Sequence, residues 1–257
     1  MAKRAERPGD PAKLIGLLWR PTETVSRSGL TPKVITRAAI TLADTEGLDA
    51  LTIRRVAGDL GVSTMALYPY IAGRPELVEL MLDAVAAQVY AHTTPPARAG
   101  RWRVRIEHIA QANWNHHMAH PWTVDITAGR PIPGPGVSGK YEAELSALDG
   151  LGLSDIEMDQ TLTAILGLVS NAARETISLR RIRQESSLTD AQWWESVGPI
   201  MGAAMAGASY PVAARVSASL GEATGLATDP EGAFRFGLGM LIDGLGALID
   251  ARGGHTL

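Results

Sequence analysis

The sequence predicts an all-α protein, and three features carry that prediction. Apolar residues recur at three-four spacing in almost every periodic segment. No run alternates apolar and polar residues between turn signals, as a half-buried strand would. Thr, Pro and Gly fall where such helices would start and stop. With 257 residues, 46% hydrophobic and 20% charged, the chain can bury one large core or two small ones. It has no cysteine, which excludes disulfides and thiolate metal sites. The apolar run Leu14–Trp19 is too short for a signal-peptide core. The most apolar later stretch, "FGLGMLIDGLGALID", is interrupted by Asp243, so the chain reads as soluble and cytoplasmic, with no membrane partner.

Residues 1–29 read as a flexible arm with a short helix at Leu14–Trp19. In "LTPKVITRAAITLADTEGLD", Val34, Ile35, Ala38, Ala39 and Leu42 form one helical stripe; Thr31 is placed to cap it, Pro32 fills its first turn and Gly47 ends it. In "LTIRRVAGDLGVS", Thr52 caps a short helix that buries Ile53, Val56, Ala57 and Leu60, Gly61 supplies the turn, Val62 plugs the core, and Ser63 caps the next helix. Helix, glycine-bearing turn, second helix is the helix-turn-helix arrangement, though an ordinary helical hairpin shares the pattern. Pro69 follows Ser63 closely and lacks the amide that would reach back to the Met65 carbonyl, so this second helix is expected to be short. "RPELVELMLDAVAAQVY" predicts a connecting helix over 75–92. Residues 30–74 thus form a small three-helix head, and residues 100–252 a larger helical body. Body helices are expected near 101–119, 140–150, 155–183, 190–206, 211–221 and 232–251, with breaks at 91–100, 127–139, 208–211 and 225–232.

The formal net charge of −3 is unevenly spread. Residues 1–75 hold eleven Lys and Arg against seven Asp and Glu, whereas the remainder is acidic. A basic head on an acidic body suits an anionic partner for the head, although a solvated face carries the same signature.

The head resembles the DNA-binding domain of the tetracycline-repressor (TetR/AcrR) family of transcription regulators. The resemblance rests on the A-x-x-L-x-x-x-x-G-L helix end, the "LTIRRVA" opening, "LGVS" at the turn and the L-Y-x-Y tail, and covers about residues 30–90. It implies a recognition helix from Ser63 to Tyr70, with Pro69 in its last turn. Thr64, Met65 and Ala66 would then face base edges, the last two offering only apolar contacts such as a thymine methyl. Arg54 is the polar base reader, able to fork onto a guanine, or else a solvent-exposed arginine. Thr52, Ser63 and Tyr68 are expected at phosphates. Tyr70 either joins them or packs under the turn, Arg74 is a further phosphate candidate, and Arg27 an arm residue for the minor groove.

The body resembles the C-terminal domain of actinobacterial members of that family. The carrying residues are "HPW" at His120–Trp122, "GRPIPGPG" at Gly129–Gly136, "YP" at Tyr210–Pro211 and the run from Phe234. This implies a ligand cavity and a dimer interface. For the cavity, for a largely apolar small molecule, the candidates are Trp114, His117, Trp122, Asn171, Arg174, Trp193, Trp194, Met201 and Met205, each of which could equally be core. For a homodimer, Leu238, Leu241, Leu245 and Leu248 share a spacing. Gly237, Gly239, Gly244, Gly246 and Ala247 would admit a close helix, in a two-fold bundle with the helix from Leu162 to Arg183 or within the monomer. His116 and His120 share a helix face, but no glutamate lies between them and no metal or other cofactor is expected. No nucleophile–base pair or phosphate loop argues for an enzyme. The reading is a ligand-responsive repressor that binds a palindromic double-stranded DNA operator as a homodimer. The alternative is a helical adaptor or ligand-binding protein without sequence-specific DNA binding.

Overall fold

The structure is a computed structural model that describes residues 11–19, 29–126 and 132–253. Arg27 lies outside these residues. Ten α-helices and no strand are found among them: α1 Pro11–Leu18, α2 Pro32–Glu46, α3 Ile53–Asp59, α4 Arg74–Ala86, α5 Trp102–Ala119, α6 Pro135–Leu145, α7 Asp155–Ser186, α8 Asp190–Ala204, α9 Pro211–Thr224 and α10 Pro230–Gly253.

The expected caps form. Thr31 Oγ1 accepts from the Val34 amide and Thr52 Oγ1 from the Arg55 amide, each satisfying an amide that the helix leaves unpaired. Gly47 and Gly61 both have positive φ, at 83° and 67°, where a Cβ would be strained. The head core joins Ile35, Ala39, Leu42, Leu51, Val56, Leu67, Ile71, Leu77 and Met81, all fully or almost fully buried.

Several boundaries depart from the sequence reading. The connecting helix ends at Ala86, and the chain continues through Thr93 in turns closed by three-residue hydrogen bonds such as Gln88 to Val85. α6 begins at Pro135, inside the expected break, because Asp83 of α4 accepts from the Val137 amide at 2.8 Å and so caps a helix start that has no capping side chain of its own. The arm holds more structure than expected: α1 buries Leu14 and Leu18 in the head core, and the Trp19 indole N–H donates to the Pro133 carbonyl.

The body is built on α7, which packs along α10 and α5. Its core holds Ile106, Ile109, Leu162, Ile165, Val169, Ile242 and Leu245, with Trp114 stacked on Phe234 at 5.0 Å between ring centroids. At the far end Arg252 pairs with Glu157, whose carboxyl is thereby held well below the usual range. α8 and α9 stand apart from the core. Their tie to the rest includes the two-pronged Arg183–Asp190 pair, at 2.7 and 2.8 Å, with Asp190 also accepting from the Ala227 amide. Their apolar residues Ile200, Tyr210, Val212 and Val216 are more than half exposed.

α10 runs on through Asp243, where the sequence reading places an interruption. As one continuous helix, Pro230–Arg252 is long and apolar enough to cross a bilayer by length and composition. Asp243 does not break it; its carboxylate pairs with Arg103 of α5 at 2.8 Å.

Candidate nucleic-acid interface and ligand site

The element after Gly61 is tighter than the expected recognition helix. Thr64–Ala66 is a single 3₁₀ turn, closed by the Ala66 amide on Ser63 and the Leu67 amide on Thr64. Pro69 then supplies no donor, and the chain turns away through bonds from Tyr70 and Ile71 to the Leu67 carbonyl. Ser63 makes no capping bond with its side chain. Leu67 and Ile71 anchor the segment from below, at 0% exposure, so that Met65 is thrust outward at 73% and Tyr68 at 44%. Thr64 and Ala66 are half-buried beside them.

The two arginines of α3 differ in availability. Arg55 is held by Glu46 and Asp59. Arg54 is exposed and has no hydrogen-bond or ion-pair partner among the described residues. Thr52 is exposed, with its hydroxyl engaged as the α3 cap. Two residues are engaged within the head, Tyr70 as the second of its two readings has it. Arg74 directs Nε to the Leu51 carbonyl at 3.0 Å and Nη2 to that of Leu48 at 3.1 Å, so its guanidinium clamps α4 to the loop before α3. Tyr70 packs against the head core.

The structure gathers only part of the expected cavity set: His117, Trp122 and Arg174 meet at the turn 121–125, and the others lie apart. Trp114 is core, and Trp122 is fully buried at the head–body junction. Asn171 is exposed and bonded to Glu175, while Arg174 donates to the Val124 carbonyl. Trp193, Trp194, Met201 and Met205 are about two-fifths exposed on α8, remote in packing from the others. The reason is that α8 is not folded back onto the body of its own chain.

Instead, polar groups that the sequence reading passed over are brought together. Asp44 of α2 accepts at one oxygen from the Trp122 indole at 2.7 Å and from His120 Nδ1 at 2.9 Å. The turn 121–125 carrying that tryptophan is fixed to the body by His117–Thr123, Arg174–Val124 and Arg181–Asp125 contacts. Asp44 therefore joins the head to the body. A second cluster centres on Glu144, 1% exposed, which accepts from the Tyr90 hydroxyl, Asn113 Nδ2 and Lys140 Nζ at 2.7–2.9 Å. Burial, with Glu144 adjoining, pushes the Tyr90 phenol far above its ordinary value. The only sequence signal for this cluster is the i,i+4 spacing of Lys140 and Glu144.

His116 and His120 meet edge to face with ring centroids 5.5 Å apart, but no group of three potential metal ligands forms among the described residues. Burial pushes His116 down to about 3 and His117 to about 4, with Lys140 adding to both. Both stay neutral in the folded state while the unfolded chain takes up protons near pH 6.5, so stability falls as pH drops through that value and the loss levels off near pH 3–4. Between pH 7 and pH 5 each histidine is expected to cost about 2 kcal/mol and the pair about 4 kcal/mol, to order of magnitude. Urea melts at the two pH values test this, with a His116→Gln, His117→Gln variant expected to show the smaller drop.

The α10 face divides. Ile242 and Leu245 are buried in the body core, Leu245 also lining a groove between α10 and α7, and Leu238 is half-buried. Gly246 makes room for Trp102 and Arg103, and Gly237 for Leu168, giving both a packing reason within the monomer. What faces outward is Phe236 at 73%, Met240 at 62%, and Leu241 and Leu248 beside Gly244. Met240, Leu241, Gly244 and Leu248 border that apolar groove, of about 330 Å³, shared with α7 at Gln160, Thr161 and Ala164.

Comparison with known proteins agrees with this architecture. The chain is 36% identical over 251 residues to the HTH-type transcriptional repressor DrrR1 of Streptomyces coeruleorubidus, covering 96% of this chain and 90% of that one. It is also similar to crystal structures of ActR, a TetR family protein of Streptomyces coelicolor. The apo form aligns with a TM-score of 0.64 at 24% identity over 90% of this chain and all of that one. The complex with actinorhodin aligns at 0.63 and 26% identity, over 85% and 96%. The family model of the tetracyclin repressor-like C-terminal domain matches residues 94–249, and with it the chain belongs to the tetracycline-repressor family of transcriptional regulators.

Proposed function

We propose that the protein acts in the cytoplasm as a dimeric repressor whose grip on a palindromic operator is relieved by a small molecule. The observation that carries the DNA-binding part is the 3₁₀ turn Thr64–Ala66, which holds Met65 outward on a fully buried Leu67, with Arg54, without a partner among the described residues, nearby in sequence on α3. In this reading Met65 and Ala66 meet base edges through apolar contact and Arg54 forks onto a guanine. Ser63, Thr52 and Tyr68 lie against phosphates. Two heads spaced by about one helical turn of DNA, roughly 34 Å, would read the two half-sites.

The outward face of α10, with Phe236 and Met240, supports a two-fold contact between copies, and the exposed apolar side chains of α8 and α9 would extend it. Phe236→Glu with Met240→Glu is expected to yield monomers in sedimentation at micromolar concentration while the helical signal remains. A double variant that stays dimeric would move the interface elsewhere. The actinorhodin complex of ActR supports an effector role for a small molecule here. Such an effector acts by its unequal affinity for two states that differ in head spacing.

The test is fluorescence anisotropy with duplexes tiled across the region upstream of the protein's own gene, at two salt concentrations. Arg54→Ala with Tyr68→Ala is expected to lose at least about a hundredfold in affinity for the bound tile, from one base contact and one phosphate contact. Unchanged affinity in the double variant, or salt-independent binding, would refute the interface.

A further inference from the structure

We infer that the protein reads its operator through the C5-methyl groups of pyrimidines, so that a site with cytosine facing Met65 is bound more tightly once that cytosine is methylated. The inference rests on the DNA-binding reading and names the chemical feature that the head recognises.

Between Ser63 and Tyr70 there is no Arg, Lys, His, Asn, Gln, Asp or Glu. Those residues supply the paired or charged contacts that read most major grooves: Arg or Lys on guanine, Asn or Gln on adenine, Asp or Glu on cytosine. The segment offers one long apolar side chain in their place. Met65 is 73% exposed at the middle of the 3₁₀ turn Thr64–Ala66. Its place is fixed from beneath, because Leu67 and Ile71 are at 0% exposure and the Tyr70 and Ile71 amides both donate to the Leu67 carbonyl. The Thr64 hydroxyl beside it can donate or accept, and so does not tell one base from another. Arg54, without a partner among the described residues, and the excess of Lys and Arg over residues 1–75 draw a phosphate backbone toward the head.

In a major groove, apolar surface is found at pyrimidine C5, where thymine carries a methyl and cytosine or uracil a hydrogen. The other base-edge atoms are donors and acceptors. An apolar chain pressed on them removes water without returning a hydrogen bond. Met65 therefore selects by the group it can cover rather than by one it bonds. Its unbranched, polarisable chain adapts to a methyl on either thymine or 5-methylcytosine. Covering one methyl contributes about fourfold in affinity, the transfer free energy of a single carbon. Two half-sites acting independently give about fifteenfold. Thymine stays ahead of 5-methylcytosine, whose amino group finds no acceptor on Met65.

The experiment begins with a pool of random duplexes from which the full-length protein selects its own site. Each thymine of that site is then replaced by uracil, by cytosine and by 5-methylcytosine, symmetrically in both half-sites. Dissociation constants are read by fluorescence anisotropy for the parent, Met65→Ala and Met65→Gln. At one symmetric position uracil is expected to bind about fifteenfold more weakly than thymine, and cytosine more weakly than 5-methylcytosine by a similar factor. Met65→Ala, which is too short to reach, and Met65→Gln, which has the length but a polar end, should each remove both differences. Both variants are expected to melt with the parent, since Met65 lies on the outer face of the turn. A parent indifferent to the methyl at every position overturns the inference while the repressor reading stands, and so does a methyl effect that survives both variants. A thymine effect without a 5-methylcytosine effect overturns the response to methylation. A pool from which no duplex is enriched overturns the inference and the repressor reading together.

Discussion

Glu144→Ala is expected to destabilise the protein by about 3 kcal/mol, the lower end of what breaking a buried ion pair costs. The carboxylate is almost wholly enclosed and receives three donors, from Tyr90, Asn113 and Lys140. Truncation leaves the Lys140 ammonium, whose side chain is only 16% exposed, without its counter-charge. It also orphans the Tyr90 hydroxyl and one donation from Asn113, which keeps its bond to the Ile109 carbonyl. For a chain of this size that loss corresponds to a fall in melting temperature of roughly 6–12 °C. The double variant Glu144→Ala, Lys140→Met should recover much of it, since apolar replacement of both partners removes the unpaired charge. A single variant that melts within about 2 °C of the parent would mean that water reaches the cluster freely.

Gly136→Ala is expected to be comparably damaging for a different reason. A Cβ there would sit 2.0 Å from the Asp83 carbonyl oxygen and 3.1 Å from Ala87 Cβ. A backbone oxygen has no rotamer to escape into, so α6 must move away from α4 and lose the bond between the Val137 amide and Asp83. Overpacking of this kind costs about 1–3 kcal/mol and more when backbone must shift. Gly139→Ala is the matched control: one turn along the same helix nothing lies within 4 Å of the added carbon. There the greater helix propensity of alanine should give up to about 1 kcal/mol of stability. Thermal melts that rank the two variants alike would refute the close approach of α4 and α6.

Local chemistry was readable from the sequence because it is written within a few residues. Thr31 and Thr52 cap the helices that follow them, and Gly47 and Gly61 take the positive φ their turns need, since cap and turn geometry depend on neighbours in the chain. The all-helical class followed from periodicity, and the head from the order of its motifs. The outcome for Pro69 was half legible: a proline without an amide ends a helix, but that the preceding turn would be 3₁₀ depends on Leu67 and Ile71 being drawn into the core.

What the tertiary structure decided are the choices among partners that periodicity leaves equal. Arg74 reads as a phosphate ligand by its place before a helix, yet the Leu48 and Leu51 carbonyls lie where its guanidinium ends. Leu245 shares a spacing with Leu241 and Leu248, but a helix offers two adjoining faces, and contact with α5 and α7 took Leu245 inward. Trp122 looked like a ligand wall until it met Asp44, a residue 78 positions earlier. Spacing along a chain fixes which side chains share a face; only packing fixes what that face meets. The caps and the glycine turn of α2 and α3 were therefore determined by sequence alone, and the form of the segment after Gly61 was not. The junction that ties head to body arose from distant segments brought together by burial.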